Sequence, residues 1–192
     1  MLSQFMYIMS GQHEDLMSDI HKLQQQYYNI NGKNILFKKS QKNECANIIS
    51  NNIGIDVILN QAIKIIEPNK ILLDYTILKT FAGPDNYDNI NLFLAKHIIQ
   101  CIRLSGSVEV HVNLSTLTIS AIERHRSAIV KFTELGDSNG YTSYVTNLSF
   151  YNTPSFILTG ASLLHGLIPP ELNEIVKFYN KRESETLLKS LE

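Results

Sequence analysis

Apolar positions recur along this chain in two periods, and the switches between them divide it into alternating helices and strands. Between Ser10 and Ile30, Leu16, Ile20, Leu23 and Tyr27 stand three or four residues apart, the spacing of one helical face, and Glu14 and Asp15 suit the positive end of the helix dipole. This predicts an N-terminal amphipathic helix over residues 1–30 acting as a lid or docking element. Asn31-Gly32 then signals a turn, and Ile35-Leu36-Phe37 ahead of two lysines reads as a short strand. Asn43–Ile66 is helical in pattern, weakened at Asn51-Asn52 and Gly54. One helix or two shorter ones fit it, the second capped by Asp56 and ending before Pro68.

Lys70–Leu78 is short and apolar and predicts a buried strand, with Gly83-Pro84-Asp85 as the breaker after it. Asn86–Leu104 places Ile90, Phe93, Leu94, His97, Ile98, Cys101 and Ile102 on one broad face, as a core-facing helix requires. Val108–Leu114 alternates Val108, Val110 and Val112 against Glu109, His111 and Asn113, the period of a strand with one wetter face. Ser120 and Glu123 form a capping-box pattern for a helix through Leu135 that carries Ile122, Ile129 and Phe132. A polar loop and an extended Tyr141–Tyr151 follow. Asn152-Thr153-Pro154 then opens an apolar helix to Gly166, Pro169-Pro170 stops it, Ile175–Tyr179 resumes as strand, and a short helix closes the chain. Strands separated by helices predict an α/β fold with a mostly parallel or mixed sheet of about five strands, flanked by helices, in a single domain over residues 31–192.

Composition narrows the function. Charged residues make up 18% of the 192 positions and hydrophobic ones 44%, a sparser charged surface than the roughly 25% of average soluble domains, which points to contact with an apolar ligand or another chain. A formal net charge of −1 supplies no field to attract a phosphate backbone, so nucleic acid is disfavoured as a partner. Cys45 and Cys101 fall in apolar helical patterns and read as buried thiols in a reducing compartment. The N-terminus resembles no secretory leader, and no apolar run reaches the ~18–20 residues of a membrane span, so a cytoplasmic protein is expected. The abundance of Ile, Asn and Lys reads as an AT-rich coding genome, with intracellular parasites and large DNA viruses among the candidate sources.

The six histidines lack the spacing that preorganises a metal site, so neither a metal nor a cofactor is expected. His97 on its apolar face reads as a hydrogen-bonded core residue. Asp74, Glu109, His111 and several serines invite a hydrolytic reading, but no Gly-x-Ser-x-Gly elbow marks a nucleophile and no glycine-rich cradle marks a phosphate site. The expectation is a non-enzyme. Glu123-Arg124-His125-Arg126 with Lys131 sets several cations along one helix, suited either to anionic headgroups and carboxylates or to an ordinary solvated face.

Burial is the chemistry that the C-terminal stretch suggests. The helix after Pro154 holds Phe156, Ile157, Leu158, Leu163 and Leu164, with Leu167 and Ile168 just beyond, and is apolar nearly all round. Three features there resemble the CRAL-TRIO lipid-binding family, the domain of phosphatidylinositol and tocopherol transfer proteins. VEVHVNLSTLTI ahead of Ser120–Leu135 resembles that family's strand leading into a long helix. Tyr144 to Phe156 looks like its strand ending in an Asn-Ala-Pro turn, with Thr153 in place of the Ala. Pro169–Tyr179 followed by RESETLLKSL resembles its gate region, final strand and closing helix. The resemblance covers the C-terminal half and implies a lipid ligand, a phospholipid or similar, held between the sheet and a Ser155–Ile168 gate. The side chains assigned to that role are Phe132, Phe150, Phe156, Ile157, Leu163, Leu164, Leu167 and Ile168. Sequestration or transfer would be the mechanism, with peripheral membrane contact and a protein partner as further expectations. The rival reading is a protein-interaction or structural module, viral in one version, that fills the pocket with its own side chains.

Overall fold

A computed structural model describes residues 2–159 and 167–191, with side-chain environments from residue 14 onward. Its sheet grows outward from a hairpin. Ile63–Glu67 (β1) and Lys70–Asp74 (β2) pair antiparallel across Pro68-Asn69, with Ile65 opposite Ile71 and Ile63 opposite Leu73. Val108–Asn113 (β3), Val145–Tyr151 (β4) and Val176–Phe178 (β5) then add in parallel, giving one five-stranded mixed sheet in the order β1-β2-β3-β4-β5. The register aligns Ile71, Val110 and Leu148 in one row and Leu73, Val112, Phe150 and Phe178 in the next. Because side chains alternate across a strand, this builds a continuous apolar face, and Glu109, His111, Asn113, Ser149 and Tyr151 go to the reverse.

The helices are Leu2–Asn31 (α1), Lys38–Ile53 (α2), Ile55–Ala62 (α3), Tyr75–Phe81 (α4), Tyr87–Ser105 (α5), Ile119–Ser138 (α6), Ser155–Thr159 (α7) and Lys181–Lys189 (α8). The fold is therefore α/β in a single domain, a mixed sheet flanked by helices, as the pattern predicts. Leu16, Ile20 and Tyr27 of α1 are buried in the larger apolar cluster, together with Ile49 of α2, Ile58 of α3, Phe81 of α4 and Ile98 of α5. Burial of each such side chain contributes about 1.5–3 kcal/mol, so α1 belongs to the core and does not ride on it. A second cluster gathers Leu114, Ile122, Ile157, Leu167, Ile168 and Leu172 under β4 and β5. Cys45 and Cys101 are buried free thiols, and His97 Nδ1 lies 2.9 Å from the Phe93 carbonyl.

Several boundaries differ from the sequence expectation, each for a local reason. Ile35-Leu36-Phe37 is not a strand. Asn34 Oδ1 accepts from the Leu36 and Phe37 amides at 2.9 and 3.3 Å, a turn that satisfies the backbone without a ladder and leads directly into α2. The helical pattern of Asn43–Ile66 divides at Gly54, which takes φ +94°, and its last residues become β1 because pairing with β2 outweighs helical spacing. The strand expected over Lys70–Leu78 stops at Asp74, whose side chain accepts from the Thr76 amide at 2.7 Å and caps α4. For α6 the cap is Thr118, accepting from the Ala121 amide at 3.3 Å; Ser120 already lies inside the helix. At the end of β4, Asn152 takes φ +50° and its Nδ2 donates to Asn113 Oδ1 at 2.9 Å, tying the Asn152-Thr153-Pro154 turn to β3. Asn180 and Glu183 form a capping box at the start of α8.

Candidate binding site

The apolar face of the sheet does not meet its helices everywhere. Between Leu73, Val110, Val112, Leu148 and Phe150 on the strands and the helices α5 and α6 lies a cavity of about 310 Å³, at the low end of the roughly 300–1,000 Å³ typical of ligand pockets. α5 contributes Ile90, Leu94 and Ile98, each four residues from the next so that one face looks inward. Ile122, Ile129 and Phe132 do the same from α6. Leu167, Ile168 and Leu172 close the side nearest β5. Among the described residues the walls are overwhelmingly aliphatic and aromatic.

Of the eight residues assigned to lipid contact from sequence, Phe132, Phe150, Leu167 and Ile168 stand on this wall. Ile157 is buried and Phe156 partly buried in the cluster behind it, where they support Ile168 and Leu172 without facing the space. Leu163 and Leu164 lie outside the described residues. Most of the wall went unassigned in sequence, because a core-facing helix and a cavity-facing helix share one hydrophobic pattern. β3 alone carried a usable signal: Val110 and Val112 on the dry side of a strand whose other side is polar.

One end of the cavity is polar, and α6 builds it. His125 is buried; its Nε2 accepts from Arg124 Nη2 at 3.0 Å, and its Nδ1 lies 3.0 Å from Tyr87 Oη. Tyr87 donates its own hydroxyl to the Arg124 carbonyl at 3.1 Å, which leaves Nδ1 as the protonated nitrogen donating to Tyr87. Burial, then the Arg124 and Lys42 charges, push the His125 pKa down from 6.5 to about 4, so the ring is neutral and cannot neutralise an anion. Tyr75, also on the cavity wall, stacks edge-on against His125 at 6.3 Å, and burial raises its pKa.

Tyr87 and Ala128 are shared with a second, polar cleft of about 380 Å³ lined by Lys39, Asp88, Arg124 and Lys131 among others. Lys131 pairs with Asp88 at 2.6 Å. Arg124 is half-buried and pairs with no carboxylate among the described residues. Burial, and then the neighbouring charges of Arg124 and Lys38, lower the Lys42 pKa. An apolar cavity thus shares two wall residues with a cationic cleft. The cation-bearing stretch read from sequence divides there: Arg124 and Lys131 line the cleft, while Arg126 is exposed beside Glu123 at 3.6 Å.

Among the described residues no three His, Cys, Asp or Glu side chains converge as metal ligands, and no helix is long and apolar enough to cross a membrane. Compared with known proteins, the chain matches no family model and no curated sequence.

Proposed function

We propose that this protein binds an amphiphilic lipid, with the hydrocarbon in the sheet–helix cavity and an anionic head at Arg124, and that it acts by sequestration without catalysis. The observation that carries the reading is the cavity itself: about 310 Å³ of apolar space beside a half-buried arginine that pairs with no carboxylate among the described residues. A cavity of ~150 Å³ holds a benzene ring, so this space takes about a dozen carbon atoms, the tail of a single-chain amphiphile more readily than two phospholipid tails. Each buried methylene contributes about 0.8 kcal/mol, and a charge-assisted contact to Arg124 adds about 1.5–3 kcal/mol. The resemblance to the CRAL-TRIO family points the same way, and Leu167 and Ile168 would be the part of its gate that faces the ligand. The rival module, with its pocket filled by its own side chains, has the open cavity against it.

Native mass spectrometry of the purified chain, with extraction of bound lipid, tests the reading. A retained single-chain species is expected, and in titration Arg124→Gln should weaken a long-chain fatty acid about tenfold while leaving the matching fatty alcohol unchanged. No retained lipid, together with no binding of either compound, would sink it.

A further inference from the structure

Residues 32–37 join α1 to α2 and hold three consecutive apolar side chains in water: Ile35 is 90% exposed, Leu36 88% and Phe37 63%. Ile30, at the end of α1, is 83% exposed as well. Single exposed apolar residues are ordinary, but a run of three on a built turn is not. The turn is fixed by its own polar groups. Asn34 Oδ1 accepts from the Leu36 and Phe37 amides, and the Asn34 amide donates to Gln41 Oε1 at 2.9 Å. Gln41 Nε2 donates to the Gly32 carbonyl at 2.9 Å, the Gln41 amide to the Phe37 carbonyl at 3.0 Å, and Gly32, at φ +63°, sends its amide to the Tyr28 carbonyl at 3.0 Å. These bonds consume backbone groups at the tip and leave the three side chains pointing away.

The surrounding charge has one sign. Between Asn31 and Asn43 the chain carries Lys33, Lys38, Lys39 and Lys42 and no acid. Glu44, the first acid beyond, is engaged by Tyr27 Oη at 2.7 Å and Ser40 Oγ at 3.1 Å. Lys33 Nζ lies 5.9 Å from the Tyr28 ring, and Lys39 also lines the cationic cleft with Arg124. An apolar tip collared by lysines matches an anionic bilayer: the tip enters the headgroup–acyl boundary while the lysines meet the phosphates. A protein groove would be read through directed polar contacts. Here the Leu36 and Phe37 amides and the Phe37 carbonyl are already satisfied within the turn, which is what a medium without hydrogen-bond partners demands.

We infer that the α1–α2 turn is a membrane-docking element, in which Ile35, Leu36 and Phe37 insert into an anionic lipid surface and Lys33, Lys38, Lys39 and Lys42 hold the headgroups. The inference is independent of the ligand reading. The chain contains no tryptophan, so Leu36→Trp in the full chain places a single indole at the tip. Its emission is expected to shift to the blue with phosphatidylcholine vesicles containing phosphatidylserine, and to stay unchanged with phosphatidylcholine alone. In co-sedimentation, the variant with Ile35→Ser, Leu36→Ser and Phe37→Ser should bind the anionic vesicles at least about tenfold more weakly at an unchanged melting temperature. Lys38→Gln and Lys39→Gln should cost about fivefold each and flatten the salt dependence. An indole indifferent to anionic vesicles, or a serine variant that sediments like the wild type, overturns the inference. Loss of self-association in the serine variant without any vesicle binding by the wild type would also overturn it, assigning the turn to a second copy of the chain.

Discussion

The two faces of β3 differ in how completely they are filled. On one, Val110 and Val112 look into about 310 Å³ of open space. On the other, His111 Nδ1 lies 2.9 Å from Tyr151 Oη with the rings stacked at 18°, Tyr151 stacks on Tyr179 at 5.2 Å, and Asn69 Nδ2 reaches Glu109 Oε1 at 3.3 Å. The contrast follows from the kind of atom buried. A buried polar group is costly unless a partner sits at bonding distance, and the reverse face supplies such partners to the groups just named, leaving His111 Nε2 without a hydrogen bond, 3.6 Å from Glu109 Oε2. Apolar walls impose no direction, and a gap between them forfeits dispersion and transfer energy that a ligand can restore. The polar face is thus the rigid half of the sheet, and the apolar face is the half with room for chemistry from outside.

The largest effect expected from breaking this asymmetry comes from Tyr151→Ala. It removes a buried ring that touches both His111 and Tyr179, and urea denaturation should show a loss of about 3–5 kcal/mol. An equal or smaller loss than for Phe132→Ala on the cavity wall would contradict the rigid-face assignment.

Acid should weaken the cavity side next. The His125 pKa falls from 6.5 in the unfolded chain to about 4 in the fold, so the unfolded state binds the extra proton between those values. Stability is complete above pH 6.5 and declines as the pH drops through that window, by up to about 3 kcal/mol. Burial lowers the His111 pKa as well, adding a decline of the same sign from the reverse face. Denaturation midpoints measured from pH 7 to 4 should fall, and His125→Gln should remove the larger share of the slope; a slope untouched by that change refutes the assignment.

The smallest and sharpest comparison enlarges one residue on each face. Ser149→Leu, at a site 2% exposed, should destabilise by about 1–3 kcal/mol through overpacking. Ala121→Leu, on the cavity wall, should be neutral or stabilise the unliganded protein by up to about 1 kcal/mol while reducing lipid retention. Equal destabilisation by both would mean that the cavity is not open space in solution.

Much of this architecture was legible because its elements are local. The α5 face, the alternation of β3, the Asn152-Thr153-Pro154 turn and the closing helix each declare themselves within a dozen residues. β1 was missed because Ile63, Ile65 and Ile66 suit a helix as well as a strand, and only the hairpin across Pro68-Asn69 chooses. The tip at Ile35-Leu36-Phe37 misled for the opposite reason: its apolar run mimics a strand, while the turn is decided by Asn34 and Gln41. Four of the eight assigned contact residues reached the cavity wall, but the polar end did not announce itself. Arg124 and His125 read as one cationic stretch, suited either to anionic headgroups and carboxylates or to a solvated face, and Tyr75 as part of a strand.

By itself the sequence determined which segments are helix or strand over most of the chain, that the fold is α/β, and that β3 has a dry and a wet side, because these follow from periodicities of a few residues. Only the tertiary structure decided where the apolar face is left unfilled and which cation lines the cleft next to that space. It also decided that three apolar side chains at the α1–α2 turn stand in water. Cavities and exposed tips are differences between what a pattern offers and what distant segments cover, and that difference exists only once the chain has packed.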